Sequence, residues 1–557
     1  MNKIASILFT VALFSTSISL NAQTGVGKAY SFDNLPKVAK TSFKADTLNI
    51  IKYGAVGDGL TLNTKSINDA VIACNKRGGG VVLIPQGLWL TGPIELKSNV
   101  NLHLQKNSIL QFTKDFNQYP LVASNWEGLP QMRNQSPLWA TNQQNIAITG
   151  HGIIDGAGEA WRMVKKEKLT ANQWSKLLAS GGVLSEDKKT WYPTEKFFNA
   201  AKMKNPGEIT PDKTPEFYQS IKDFLRPNLL VFTSCKRILL EGVTFQNSAA
   251  WNIHPLMCED LTVRNVYAKN PWYAQNGDGI DIESCKNVLI EGSTFDVGDD
   301  GICIKSGRDA AGRKRGMPTE NVIIRNSTVY QAHGGFVIGS EMSGGAKNIF
   351  VYDCSFIGTD IGLRFKTTRG RGGVVEKIFV KNINMIGIIG EAILFDMYYA
   401  AVDPVPLKGE KREAPKVVIL PVTEETPTFK DFYISNVTCD GAAKAVFMRG
   451  LPELSISNIN LANLSIKAKE GIDIQEAKNI TLHNVSLTVD EANPLINIQN
   501  GNQINFNNLK YNTAQLLFRI SGDRNSAIRT SGLDATKANV KTEFLAGAEE
   551  KSLQINK

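Results

Sequence analysis

The sequence has no cysteine pairs at metal-ligand spacing. Its seven cysteines (Cys74, Cys235, Cys258, Cys285, Cys303, Cys354 and Cys439) include no CxxC, and histidine occurs only five times. A structural zinc site is therefore not indicated. An odd cysteine number argues against a disulfide framework, although one bridge in an oxidising compartment stays open. Beyond residue 22 no run approaches the ~20 unbroken apolar residues of a membrane span. Basic runs interleaved with aromatics, which track single-stranded nucleic acid, are missing too. The net charge of +9 thus points to an anionic surface or an acidic substrate rather than to nucleic acid. Two-residue Asn-Gly or Asp-Gly turns between paired strands are scarce, which argues against a sandwich of hairpins.

What is present begins with MNKIASILFTVALFSTSISLNAQ, in which Lys3 precedes an apolar run to Leu20 and then Asn21-Ala22. This pattern predicts a secretory signal over residues 1–22, cleaved between Ala22 and Gln23, and hence a secreted or periplasmic protein. No cysteine lies near that point, so a lipid anchor is not implied. A polar segment, 23–46, follows. Leu48 to Tyr53 reads as a strand, Asn63 as a helix N-cap, and Ile67, Ala70, Val71 and Cys74 as one helical face ending at Gly78-Gly79-Gly80. A short phrase then recurs, as in CKRILLEGVTF from Cys235, CKNVLIEGSTF from Cys285, TENVIIRNSTV from Thr319 and AKNITLHNVSL from Ala477. Each copy holds short period-two strands with asparagine at the bend, mostly 22–34 residues after the previous one. No coil can bury its apolar face alone, and stacking buries it. The reading is an all-β chain: one right-handed parallel β-helix (solenoid) over 47–557 with an N-terminal capping helix. A long aromatic-rich insertion (157–226), a Pro- and charge-rich loop (401–428) and closing strands (about 512–557) complete it. Inserts of this kind gather on one face, often the binding face.

The chemistry concentrates in NGDGIDIESCKNVLIEGSTFDVGDDGICIKSG, residues 276–307, with Asp278, Asp281, Asp296, Asp299 and Asp300 among glycines. Gly-Asp-Gly and Gly-Asp-Asp-Gly read as tight turns, and Gly298 and Gly301 are expected to bend the chain so that Asp299 and Asp300 face one way. From Asp278 to Asp299 is 21 residues, from Asp299 to His333 is 34, and from His333 to Arg364 is 31. Each interval is about one coil, and stacked strands lie about 4.8 Å apart. The spacing therefore collects three carboxylates, an imidazole and the Arg364/Lys366 pair in one patch. A lone turn Asp usually only caps backbone groups, and Asp281 and Asp296 are read that way. The joint register of Asp278, Asp299 and Asp300 with His333 and two cations is read as catalytic. Lys305, His254, Glu341 and Asn276 are weaker candidates for substrate contact. Arg308, Arg313, Lys314 and Arg315 form a basic loop beside the acids.

In order and spacing, Asn276-x-Asp278, Asp299-Asp300, His333-Gly334 and Arg364-x-Lys366 resemble the polygalacturonase family of glycoside hydrolases, family 28. The likeness runs from about Thr47 to Met397 and more loosely beyond. Trp251 to Pro255 (WNIHP) is similar to bacterial exo-acting members; Ala332 departs from the Gly found there in many members. The resemblance implies hydrolysis of α-1,4-linked galacturonic acid in pectin with inversion, with no metal and no cofactor. It implies Asp299 as general acid, Asp278 and Asp300 as the pair that holds and deprotonates water, and His333 as a tuning or sugar-contacting group. Arg364 and Lys366, alternate residues of one strand, suit a sugar carboxylate. A rhamnogalacturonan hydrolase of the same family, a calcium-dependent pectate lyase and a non-catalytic glycan-binding β-helix remain open, and nothing fixes an oligomeric state.

Overall fold

Asparagine at the repeated bends has a physical explanation in the structure, a computed structural model that describes residues 30–399, 401 and 417–556. Asn382, Asn436, Asn463, Asn484 and Asn508 all take left-handed backbone angles (φ 54–57°), which Asn tolerates better than other side chains. Their amides also form a ladder from coil to coil, with Nδ2–Oδ1 distances of 2.9, 3.0, 3.1 and 2.7 Å from Asn436 to Asn508. The same residue thus makes the turn and fixes the register of the next coil.

Between bends, strands pair in parallel with their equivalents one coil away. One sheet has fourteen strands and the other twenty-three. Inward side chains form one continuous apolar core from Leu48 to Leu533, and the connections are those of a right-handed parallel β-helix. All seven cysteines are buried and free. Cys258 and Cys285 stack in successive coils, the Cys258 amide donating to the Cys285 sulfur at 3.3 Å.

The N-terminal end is closed by helix α1 (Thr64–Lys76), which buries Ile67, Ala70, Val71 and Cys74. Two local expectations differ. The strand expected over 48–53 is a three-residue strand, Thr47–Asn49, followed by a 3-10 turn, Ile50–Tyr53. Asn63 stands at the N-cap position, but its side chain caps nothing. It bonds instead to Val56 and Leu90, tying the preceding loop to the first coil.

The chain divides into residues 1–35 and 36–557. In the first, Ser31 and Asn34 form an isolated bridge. The expected signal segment (1–22), residues 23–29 of the polar segment and residues 402–416 of the loop lie outside the described residues. The insertion carries three short helices, Ala171–Ala179, Glu195–Ala201 and Pro215–Ser220, and a small antiparallel sheet.

Eight strands, two of a hairpin and six of the fourteen-stranded sheet, build the region around the acids. An antiparallel hairpin is made by β1 (Leu121–Trp126) and β2 (Leu129–Asn134). In the fourteen-stranded sheet lie β3 (Ile253–Leu256), β4 (Ile280–Glu283), β5 (Asp300–Lys305), β6 (Gly334–Ile338), β7 (Leu363–Lys366) and β8 (Glu391–Asp396).

Candidate active site

Strands β4 to β8 are consecutive neighbours, in the register Ile280–Ile302, Ile302–Phe336, Phe336–Leu363 and Leu363–Ile393. Those residues point into the core. Strand alternation therefore sends Asp281, Cys303, Lys305, Arg364 and Lys366 to the outer face. Asp299 lies in the turn entering β5, and Asp300 is the first residue of that strand. Asp300 shares the parity of Ile302 yet meets outward-facing Lys366, while a Cβ on Gly301 would meet core Val329, so the alternation breaks at the entry of β5 and both acids lie on the outer side.

The flanking glycines act by size rather than by dihedral, contrary to the sequence expectation. Neither Gly298 nor Gly301 is among the positive-φ residues; the left-handed residue here is Asn276 (φ 53°). A Cβ on Gly298 would stand 2.6 Å from the Trp272 carbonyl oxygen, and one on Gly301 would overlap a Val329 methyl.

Asp278, Asp299 and Asp300 each offer an oxygen within 4.8 Å of the other two. Their surroundings differ. Asp299 accepts from the Asn276 and Asp300 amides at 3.2 and 3.0 Å and meets His333 Nδ1 at 3.1 Å. Its side chain is 19% exposed, the most open of the three. Asp300 is buried, with Lys366 Nζ at 2.7 Å and Arg364 Nη1 at 3.4 Å. Asp278 is also buried, and its Oδ1 has no hydrogen-bond partner.

These settings separate the acids electrostatically. Burial, then the charges of Asp281 and Asp299, pushes the Asp278 carboxyl far above the usual range. Burial alone would raise Asp300 too, but Lys366, Arg364 and Lys305 overcome it and hold that group well below an ordinary carboxylate. The hydrogen bond to Asp299 raises His333, against the opposing effect of burial. Asp278 is thus biased toward its neutral form and Asp300 toward its charged form.

A stability prediction follows for Asp278. Its folded pKa lies above the unfolded value of about 3.9, so its ionisation costs stability as pH rises from there through the folded pKa. Asp278→Asn removes that cost. The variant is expected to match the wild-type Tm near pH 4, to exceed it by several degrees at pH 7, and to be inactive. Calorimetry at the two pH values measures the gap.

Lys366 and Arg364 are where the spacing placed them, but Lys366 is 5% exposed and committed to Asp300. Only Arg364, 18% exposed in its side chain, has reach left for a sugar carboxylate. His254, Lys305 and Glu341 also differ from the expected sugar contacts, since all three are buried. His254 has both ring nitrogens engaged, Nε2 with Glu283 at 2.8 Å and Nδ1 with Asn228 at 3.1 Å. Lys305 Nζ lies 2.9 Å from Glu341 and 3.7 Å from Asp281, and 4.8 Å above the Trp251 ring. Burial alone would raise Glu341; Lys305, aided by Lys366 and Arg371, holds it at about 2. These groups form a charged layer beneath the cleft floor.

The hairpin was not foreseen. Trp126 at the end of β1 stacks on Trp251 (centroids 6.0 Å, 14° between planes), and Arg133 of β2 lies 3.6 Å over the Trp126 ring. The insertion holds the hairpin from behind: Met132 N donates to Gly207 O at 2.8 Å, Asn134 Nδ2 to Leu225 O at 2.8 Å and Arg133 Nε to Arg226 O at 3.1 Å. Arg226 in turn donates to Asn276 Oδ1 at 2.9 Å. The one signal in the sequence is Glu127-Gly128, a two-residue turn, for the flanking LVASNW and LPQMRN have little strand propensity.

The family described as "Glycosyl hydrolases family 28" matches residues 219–441. A "Probable polygalacturonase" of Vitis vinifera is 30% identical over 358 residues, 62% of this chain and 62% of its own length, so the chain spans somewhat under two thirds of that relative. The "Exo-poly-alpha-D-galacturonosidase" of Dickeya chrysanthemi is 26% identical over 483 residues, 82% of this chain and 74% of that one. The crystal structure of a hyperthermoactive exopolygalacturonase from Thermotoga maritima superposes with a TM-score of 0.65 at 30% identity, covering 81% of this chain and 93% of that one. The chain belongs to glycosyl hydrolases family 28. The stretch matched to family 28 contains every member of the acid cluster, from Asp278 to Lys366. The hairpin and Glu127 precede it. In this family 28 chain, then, the matched region carries the acids, and a segment outside it reaches them through contacts of Glu127 with Asn276 and Arg308.

Proposed function

We propose that the protein is a secreted pectin hydrolase that removes sugars from the end of an α-1,4-linked galacturonic acid chain. Three carboxyl groups brought within 4.8 Å of one another from adjoining coils carry the reading. Asp299, the exposed member, protonates the departing oxygen. Asp278 and Asp300 hold the water and take its proton. His333 steadies Asp299, and Arg364 faces the substrate's carboxylate. The net charge of +9 suits a polyanion. Relatives named as polygalacturonases, two of them exo-acting, supply the substrate class.

The exo assignment rests on the hairpin. Its tip bonds to Arg308, the Arg308 amide donating to Gly128 O at 3.3 Å, and in this reading it bounds the substrate's path at one end of the site. A Cβ on Gly128 would lie 2.7 Å from the Arg308 nitrogen, so only glycine allows this seat.

Stereochemistry is open to direct test. The closest oxygens, within 4.8 Å, are nearer than the roughly 6.5–9.5 Å typical between the carboxyl groups of inverting enzymes. Spacing therefore does not argue for inversion; the paired acids Asp278 and Asp300, placed to hold one water, do. Proton NMR of a fresh digest should show the β-anomer of galacturonate first, and first appearance of the α-anomer overturns this step. A panel of pectic oligosaccharides should show cleavage of homogalacturonan and none of strictly alternating rhamnose-galacturonate chains.

The same three oxygens have the spacing to hold a cation, which a calcium-dependent lyase would use. Lys366 and Arg364 already neutralise Asp300, and this favours the hydrolytic reading. Chelator treatment is expected to leave the rate unchanged, and the product should lack the ultraviolet absorbance of an unsaturated sugar.

A further inference from the structure

Glu127 and Gly128 form the tip of the hairpin, both left-handed (φ 47° and 78°). This turn aims the Glu127 side chain at the catalytic loops. One carboxylate oxygen lies 3.5 Å from Asn276 Nδ2 and the other 3.4 Å from Arg308 Nη1. The Asn276 backbone amide donates to the candidate acid, Asp299, at 3.2 Å. A single residue therefore links the hairpin carboxylate to the proton donor. The Glu127 side chain remains one third exposed, so part of it faces open space. Burial and Glu341 raise its proton affinity, against Lys305, Arg308 and Arg133. Its two contacts are long, and it is not fully satisfied by the protein.

We infer that Glu127 reads the end of the substrate chain, accepting a hydrogen bond from the free C4 hydroxyl of the terminal galacturonate and leaving room for one sugar before the scissile bond. This deepens the exo reading above and rests on it. In an α-1,4 chain the C4 oxygen is a hydroxyl only at the non-reducing end; in every interior sugar it is part of a link. An interior sugar has no C4 hydroxyl to donate to Glu127, and its continuing chain meets the hairpin. A site built around a hydroxyl rejects analogues that lack it far more strongly than an apolar pocket rejects a missing methylene. Asn276, held by Arg226, and Arg308 fix the carboxylate in place.

The experiment compares two trigalacturonates: one with an ordinary end, and one whose terminal ring carries a C4–C5 double bond and therefore no C4 hydroxyl. The wild-type protein is expected to favour the ordinary trimer by about 10²-fold or more in kcat/KM. In Glu127→Ala that preference is expected to fall to within a few-fold, mainly through a higher KM for the ordinary trimer. Glu127→Gln, which keeps an acceptor oxygen, retains part of it. A purely structural role for Glu127 would lower both rates together and leave the ratio intact, and an unchanged ratio overturns the inference. Hydrolysis of the ordinary trimer with equal hydrolysis of the unsaturated one by the wild type also overturns it, while sparing the hydrolase reading. Cleavage of neither trimer sinks both.

Discussion

Asp299→Asn should lower kcat on homogalacturonan by about 10²- to 10⁴-fold with KM within a few-fold of wild type, because the lost group acts on a proton in flight rather than on the bound sugar. Asparagine keeps the shape but has one acceptor oxygen, whereas the Asn276 and Asp300 amides now donate to different carboxylate oxygens at 3.2 and 3.0 Å; the variant keeps one of these two bonds, and its Tm is measured beside its rate. The assignment has a second, sharper consequence. An acid is needed only when the departing oxygen is a poor leaving group. An aryl galacturonide with an acidic phenol should restore most of the rate to Asp299→Asn and none to Asp278→Asn or Asp300→Asn, whose defect lies in water activation. The reverse pattern would move the acid to Asp278, whose carboxyl is raised by burial.

Lys366→Met should be nearly as damaging, for a different reason. The lysine is 5% exposed and touches Asp300 at 2.7 Å. Methionine fills a similar volume without charge and leaves the buried carboxylate with Arg364, at 3.4 Å, as its remaining ion-pair partner. Removing one partner of such a pair typically costs about 3–5 kcal/mol. Asp300 then takes up a proton more readily, so the acidic limb of the kcat/KM profile should move to higher pH and kcat fall by about 10²-fold or more. Stability carries the same sign. Asp300's folded pKa lies below its unfolded value of about 3.9, so the pair stabilises above that value and the benefit disappears as pH falls through the folded pKa. The Tm gap between wild type and Lys366→Met should be wide at pH 7 and close below about pH 4.

Much of this was legible in the chain. The period of the apolar phrases fixes the coil, and Asn at each bend follows from the left-handed turn. The intervals from Asp278 to Arg364 bring the acids together because stacking converts sequence period into proximity. Other features depend on contacts that no period encodes. Lys366 and Lys305 look like free cations in the sequence, and only packing reveals that each is bound to an acid, Asp300 or Glu341. The glycines around Asp299 read as turn formers, yet Gly298 and Gly301 are required for space. Glu127 is invisible to repeat analysis because its hairpin interrupts the repeat, and its meaning depends on Arg308 and Asn276, each about 150 or more residues away in the chain.

The account's central claim is that acids gathered by stacking hydrolyse a galacturonan chain from a closed end. A time course of hexagalacturonate digestion by the wild-type protein tests it most directly, with products separated by length and checked for unsaturation. The account predicts saturated galacturonate and pentamer as the only products at the earliest times. Dimers, trimers and tetramers appearing together, or any unsaturated sugar, would contradict it.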